Sequence, residues 1–166
     1  MTGTAPHEFL ARLRAVESRL IAHAEAGPPP GLTEPVTGEE ERWQAGQVWA
    51  HLAEFPSYWL NQVRSLRQRR AEGEQSPIPF GRTRFDPDRI AAIERDRHAD
   101  PGALLARVRA DVREVGDELE GLPAEAWSLV GEHPTRGSMT LPAIVEHFLV
   151  SHLEEHADQL DLLRNG

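Results

Sequence analysis

The sequence predicts an all-α protein, a four-helix bundle with one extra short helix in the connection between its second and third long helices. Three observations carry that reading. Four stretches repeat apolar residues at steps of three and four, no stretch sustains strand alternation, and proline-bearing breaks such as "AGPPPGL" separate the stretches. The 166 residues are 39% apolar and 27% charged, as suits a globular chain, so one domain over 1–166 is expected.

The first helix is expected over about residues 6–25, with Leu10, Leu13, Val16 and Leu20 on one side, and the consecutive prolines after it end it. The second is expected over about 43–70, from "RWQAGQVWAHLAEF" to "VRSLRQRR", with Pro56 inside it removing one backbone donor. Its terminal run Arg64, Arg67, Arg69 and Arg70 reads as a solvated helix end, where the helix dipole favours cations. A loop follows, then a short helix capped by Asp86 and opened by Pro87. The third long helix starts at Asp100–Pro101, repeats Leu104, Val108, Val112, Val115 and Leu119, and stops at Gly121 and Pro123. The fourth should run over about 141–163 with Thr140 as its cap. Four amphipathic helices without strands close most simply into a bundle around one core.

Composition narrows the function. Cysteine is absent, so any metal must be held by nitrogen and oxygen. A net charge of −9 argues against a nucleic-acid surface, which needs clustered cations. All 18 basic residues are arginine, which reads first as a GC-rich coding bias. No apolar run approaches the roughly 20 residues that span a bilayer. The opening "MTGTAPHEFLARLRAV" has no charged segment leading into an apolar one, so neither membrane nor export is expected and the cytoplasm is the simplest address.

The chemistry gathers in "SHLEEHADQL". On a helical wheel Leu141, Val145, Phe148, Leu149, His152, His156, Gln159 and Leu163 share one face, with the two histidines at the centre of the apolar stripe. Their i, i+4 spacing stacks them one turn apart, so both rings can converge on one point. Two unpartnered buried imidazoles would cost a few kcal/mol each, so either hydrogen-bonding neighbours or a divalent ion must compensate. On the second helix His51 shares the inward face with Val48, Phe55, Tyr58, Trp59 and Leu66. Three histidines from two neighbouring helices would leave coordination positions open, as in catalytic sites. Glu54, three residues after His51, could orient that ring, act as a general base, or pair with an arginine. Arg82 and Arg84 in "FGRTRF" are candidates to meet a substrate carboxylate. Among the other histidines, His147 should be exposed opposite the stripe, His7 and His23 belong to the ends of the first helix, and His98 sits in a turn. His133 reads as an exposed loop residue with a lesser prospect of folding over the site.

The segments "WQAGQVWAHLAEF" and "GSMTLPAIVEHFLVSHLEEHADQL" resemble the DinB-like superfamily of four-helix metal proteins, which includes YfiT-type hydrolases and the mycothiol- and bacillithiol-dependent S-transferases and maleylpyruvate isomerases. That resemblance implies metal ligation by His51, His152 and His156. Many members continue the last motif as H-R-G-Q-I, where this chain reads "HADQL" and keeps only Gln159. Many also carry a histidine where Phe148 stands here. The resemblance implies a divalent metal, zinc first with nickel, iron or manganese as alternatives. It also implies a small thiol such as mycothiol with an electrophilic partner substrate, or else a hydrolase, or a non-catalytic metal-binding protein. An exposed helix face pairing two copies would make a homodimer.

Overall fold

The computed structural model describes residues 6–35 and 40–166. Helix α1 spans Pro6–Ala26, α2 Ala45–Ala71, α3 Pro87–Asp96 and α4 Pro101–Gly121. The C-terminal rod is continuous but not uniform: α5, Leu141–Ile144, passes into a π-helical turn, Val145–Val150, and then into α6, Ser151–Asn165. Local chemistry sets the starts. Asp86 accepts from the Arg89 amide at 2.9 Å and Asp100 from the Ala103 amide at 3.1 Å, each ahead of a proline that pre-sets the first turn. The Gln44 amide donates to the Gln47 side chain at 2.9 Å to close the start of α2. Thr140 occupies the cap position of α5, but its hydroxyl makes no capping bond.

The apolar stripes meet in one core. Phe9, Leu13, Val16 and Leu20 of α1 are buried, so the stripe begins at Phe9 and Leu10 lies at its edge. Leu104, Val108, Val112, Val115 and Leu119 of α4 face them. Helix α1 packs on α4 and α6, and α2 packs on the same two helices, so α1 and α2 stand at opposite corners of the bundle. The segment after α1 therefore has to cross the bundle before α2 begins. It is anchored by Thr33, whose amide donates to the Trp43 carbonyl at 2.8 Å and whose hydroxyl accepts from the Trp43 amide at 2.9 Å. Helix α2 is buried more completely than the others because α3 covers a further side of it.

Two expectations need correction. A small three-stranded sheet accompanies the helices: β1, Ile78–Pro79, pairs in parallel with β2, Val130–His133, which pairs antiparallel with β3, Gly137–Thr140. Strands of two and four residues are too short to show alternation, and the parallel pairing joins segments some fifty positions apart in the chain. The arginine run at the end of α2 is also not simply solvated. Arg64 and Arg67 both pair with Glu118 of α4, and Arg69 pairs with Glu74.

The π-helical turn changes the geometry of the C-terminal rod. Each π turn carries one residue more than a regular turn and so rotates the later part of the rod by about 100°. Leu141 and Ile144 ahead of it and Val145 and Phe148 in its first part are buried; after it, Leu153, Ala157 and Leu160 are. The core stripe has advanced by one residue. His152 and His156 consequently lie on the edge of the stripe rather than at its centre, with His156 buried and His152 half-buried.

Candidate metal centre

Packing of α6 against α2 brings three imidazoles together. One ring nitrogen each of His51, His152 and His156 lie within 4.8 Å of one another. The ring centroids are 5.0 Å apart for His51 and His152, 4.8 Å for His51 and His156, and 4.7 Å for His152 and His156. Phe55 stacks on His152 at 3.9 Å and Trp43 lies over His156 at 6.1 Å, so apolar rings fix the orientation of two of the three imidazoles.

The outward nitrogens of two of the rings are committed, while His152 Nδ1 is buried without a hydrogen-bond partner. The Nδ1–H of His51 donates to Glu54 Oε1 at 2.7 Å, and the Nδ1–H of His156 donates to Gln159 Oε1 at 2.7 Å. Both pairs span three residues on one helix, so each ring and its partner lie on one ridge. With Nδ1 protonated, Nε2 of each ring carries the lone pair that a metal takes. His51 Nε2 lies 3.1 Å from His152 Nε2, close to the roughly 3.3 Å edge of a tetrahedron built on bonds of about 2.0–2.1 Å. His156 Nε2 is buried and has no hydrogen-bond partner. An orphaned lone pair aimed among two other imidazoles is the pattern a divalent cation satisfies, so these residues fit a metal ion.

Electrostatics agree with ligation by neutral rings. Burial drives the His51 pKa well below the usual value, and His156 and His152 add to it. Burial does the same to His152, helped by His156 and opposed by the Phe148 backbone. Burial brings His156 down to about 4 against the opposing bond to Gln159. Burial also raises the Glu54 pKa, and the facing Arg82 guanidinium pulls it back.

The cluster opens into a cleft of about 770 Å³. Trp59 and Phe148, stacked at 3.9 Å, form one wall, and Arg84, Phe85, Arg136 and His147 contribute to the rest. Arg82 also lines it, but its side chain is 8% exposed, and its guanidinium lies 3.8 Å over the Tyr58 ring and donates to Glu54 at 2.5 Å. Arg84 rests over the Phe85 ring at 4.7 Å. Glu54 thus combines two of its expected roles: it orients His51 with one oxygen and pairs with an arginine through the other.

Two histidine expectations are corrected. His133 is not an exposed loop residue; it ends β2 and is buried, with its ring stacked on Phe148 at 5.0 Å. His147 is half-buried and lines the cleft. Neither position announces itself in the sequence, because His133 belongs to the hairpin and His147 to the π turn, elements that periodicity does not reveal. His23 is also buried, with Nε2 2.6 Å from Asp161 Oδ1 of α6, whereas His98 lies exposed in its turn as expected.

Comparison with known proteins sets this geometry in a family. YfiT from Bacillus subtilis, a probable metal-dependent hydrolase with an unusual four-helix bundle topology, superimposes with a TM-score of 0.71 at 21% identity, over 96% of this chain and 86% of that one. A mycothiol-dependent maleylpyruvate isomerase gives 0.63 at 18% identity, over 95% of this chain but only 61% of its own. The colibactin self-resistance protein ClbS, solved with double-stranded DNA, gives 0.59 at 16% identity, over 98% and 97%. Identities this low establish the fold alone. No curated protein sequence matches the chain. Residues 12–160, nearly the whole chain, match the DinB superfamily, and the protein belongs to that superfamily.

Proposed function

We propose that the protein is a metal-dependent enzyme that holds a divalent ion through His51, His152 and His156 and uses it to activate the sulfur of a low-molecular-weight thiol, such as mycothiol, for transfer to an electrophile. The observation that carries this reading is the buried, unpartnered Nε2 of His156, facing two more imidazoles at a cleft. Zinc is the expected ion for such an all-nitrogen set, with nickel, iron and manganese as the alternatives a metal analysis distinguishes. A bound divalent ion would supply Lewis acidity that lowers the pKa of a thiol or a water.

The remaining work falls to side chains of this chain. Glu54 and Gln159 hold the Nδ1 protons of His51 and His156 and so keep both Nε2 lone pairs turned inward. Both oxygens of Glu54 are engaged, which favours orientation of His51 over proton abstraction from substrate. The cleft volume lies within the roughly 300–1,000 Å³ typical of small-molecule sites, room for a thiol and a second substrate together. Arg84 at its lining suits a polar group of that second substrate. The net charge of −9 favours small molecules over nucleic acid as the occupants.

A second reading, hydrolysis with water in place of the thiol, is favoured by the fuller overlap with YfiT than with the isomerase. Titration of cobalt-substituted protein with mycothiol separates the two. A new sulfur-to-metal charge-transfer band is expected for the transferase. A cobalt spectrum unaltered by mycothiol and by other small thiols excludes it and leaves the hydrolase.

A further inference from the structure

We infer that the β2–β3 hairpin braces the histidine cluster through a relay running from His133 to Arg82 to Glu54 to His51, in which His133 and Arg82 are positioning residues. The inference rests on reading His51 as a metal ligand, and it gives a structural duty to two residues that line the cleft without touching the cluster's inward nitrogens.

Each step of the relay is a short polar contact that burial makes costly to break. His133 is locked at both ring nitrogens: Nδ1 accepts from the Thr135 amide at 3.3 Å, and Nε2–H donates to the Arg82 carbonyl at 3.1 Å. Its ring is wedged against Phe148 and, at 6.1 Å, against Trp59. The chain beside it has no slack. Gly81 has φ +84°, and a Cβ there would sit 2.7 Å from the His133 ring, so the backbone can follow this path only as glycine. The Gly81 amide is itself held by Gln62 Oε1 at 2.8 Å. Arg82 therefore leaves a fixed point on the backbone. Its side chain crosses the face of Tyr58 and ends at Glu54 Oε2, 2.5 Å away, with Asp86 4.0 Å from its other terminal nitrogen. The other Glu54 oxygen takes the His51 proton at 2.7 Å.

The pair Arg82–Glu54 is almost completely removed from water, with side chains 8% and 7% exposed. A buried carboxylate without its cation is strongly disfavoured and would turn away from this position. The acceptor behind His51 is then lost, and the imidazole becomes a poorer donor to a metal. Arg82 commits its Nη2 to Glu54, which favours positioning over a substrate contact for this residue, while Arg84 keeps its place at the cleft. Sequence spacing conceals the arrangement, since 28 positions separate Glu54 from Arg82 and 51 separate Arg82 from His133.

Zinc affinity measured by chelator competition on the whole chain tests the relay. Glu54→Gln and Arg82→Gln should each weaken zinc binding by about tenfold or more. The double variant should be no weaker than Glu54→Gln alone, because both act through one proton acceptor. His133→Ala should weaken binding in the same direction, and His133→Gln, which can still donate to the Arg82 carbonyl, should restore it. A second readout needs no metal: the His51 Nδ1–H resonance of the metal-free protein should lie downfield, shift in Arg82→Gln, and shift likewise in His133→Ala. Parental affinity in Arg82→Gln, or a double variant whose loss is the product of the two singles, overturns the relay. If the parent takes up no zinc, the ligand reading of His51 fails, while the proton resonance still decides the relay: movement in both variants supports it and an unmoved resonance refutes it.

Discussion

His156 shows at the scale of one residue how a site is built from two opposite ends of a ring. Its Nδ1 proton is held by Gln159 and its Nε2 lone pair is left without any partner in a buried place. Replacing Gln159 with leucine keeps the bulk, removes the acceptor, and lets the ring choose the tautomer that points its proton inward. We expect zinc affinity to fall by about 10- to 100-fold, with helix content by circular dichroism unchanged. Affinity equal to the parent would mean that Gln159 does not orient the ligand. The ligand candidates themselves were legible in the sequence, because spacing of four on one helix and a third histidine on another inward face are patterns that periodicity exposes. The partners were legible only as neighbours. Glu54 reads as a flanking carboxylate, but its bond to Arg82 depends on how a distant loop returns.

At the scale of elements, the helices were readable nearly to their ends, since Asp–Pro starts and apolar repeats act locally. The helix expected to start at Asp100–Pro101 and stop at Gly121 spans Pro101–Gly121, and the expected 6–25 became Pro6–Ala26. The hairpin and the π turn were not readable. Strand β2 gains its identity from partners far along the chain, and a π turn shows itself only when burial reveals the shift in phase. The short helix α3 illustrates how such an element is tied down. Its last residue, Asp96, accepts from Arg95 beside it and from Arg107 of α4 at 2.9 Å. The Arg95 guanidinium, supported by Arg107 and opposed by burial, holds the Asp96 carboxyl at about 2, below its usual 3.8. The folded state therefore binds this proton less readily than the unfolded chain. The resulting stability is fully present above pH 3.8 and is lost as pH falls toward 2. The Arg95 side of the pair is well exposed, and solvent screening keeps the contribution small. Asp96→Asn should lower the urea midpoint at neutral pH and leave a flatter stability profile across that acid window. An unchanged profile would show that the tie carries no weight.

For the whole molecule, the placing of α1 and α2 at opposite corners is what allows a site to form. Both stand against α6, and α2 meets it along the ridge that carries His51. Arg19 of α1 pairs with Asp158 and Asp161 of α6, while Arg12 pairs with Glu154 of α6 and Glu146 of the π turn. One face of the C-terminal rod is thus occupied by ion pairs and the adjacent edge by imidazoles. No helix among the described residues is long and apolar enough to cross a membrane. The fold class followed from four repeating stripes, whereas the cross-bundle path after α1 belongs to the assembled core and could not be read from any single segment. The function proposed for this bundle depends on three imidazoles from α2 and α6 sharing one ion. Elemental analysis of protein purified without nickel resin, run beside His156→Ala, bears on that point without intermediate steps. One divalent ion per chain is expected in the parent and a substoichiometric trace in the variant, with both proteins equally helical. A parent free of metal after incubation with zinc, or a variant that retains a full equivalent, would refute the shared ion.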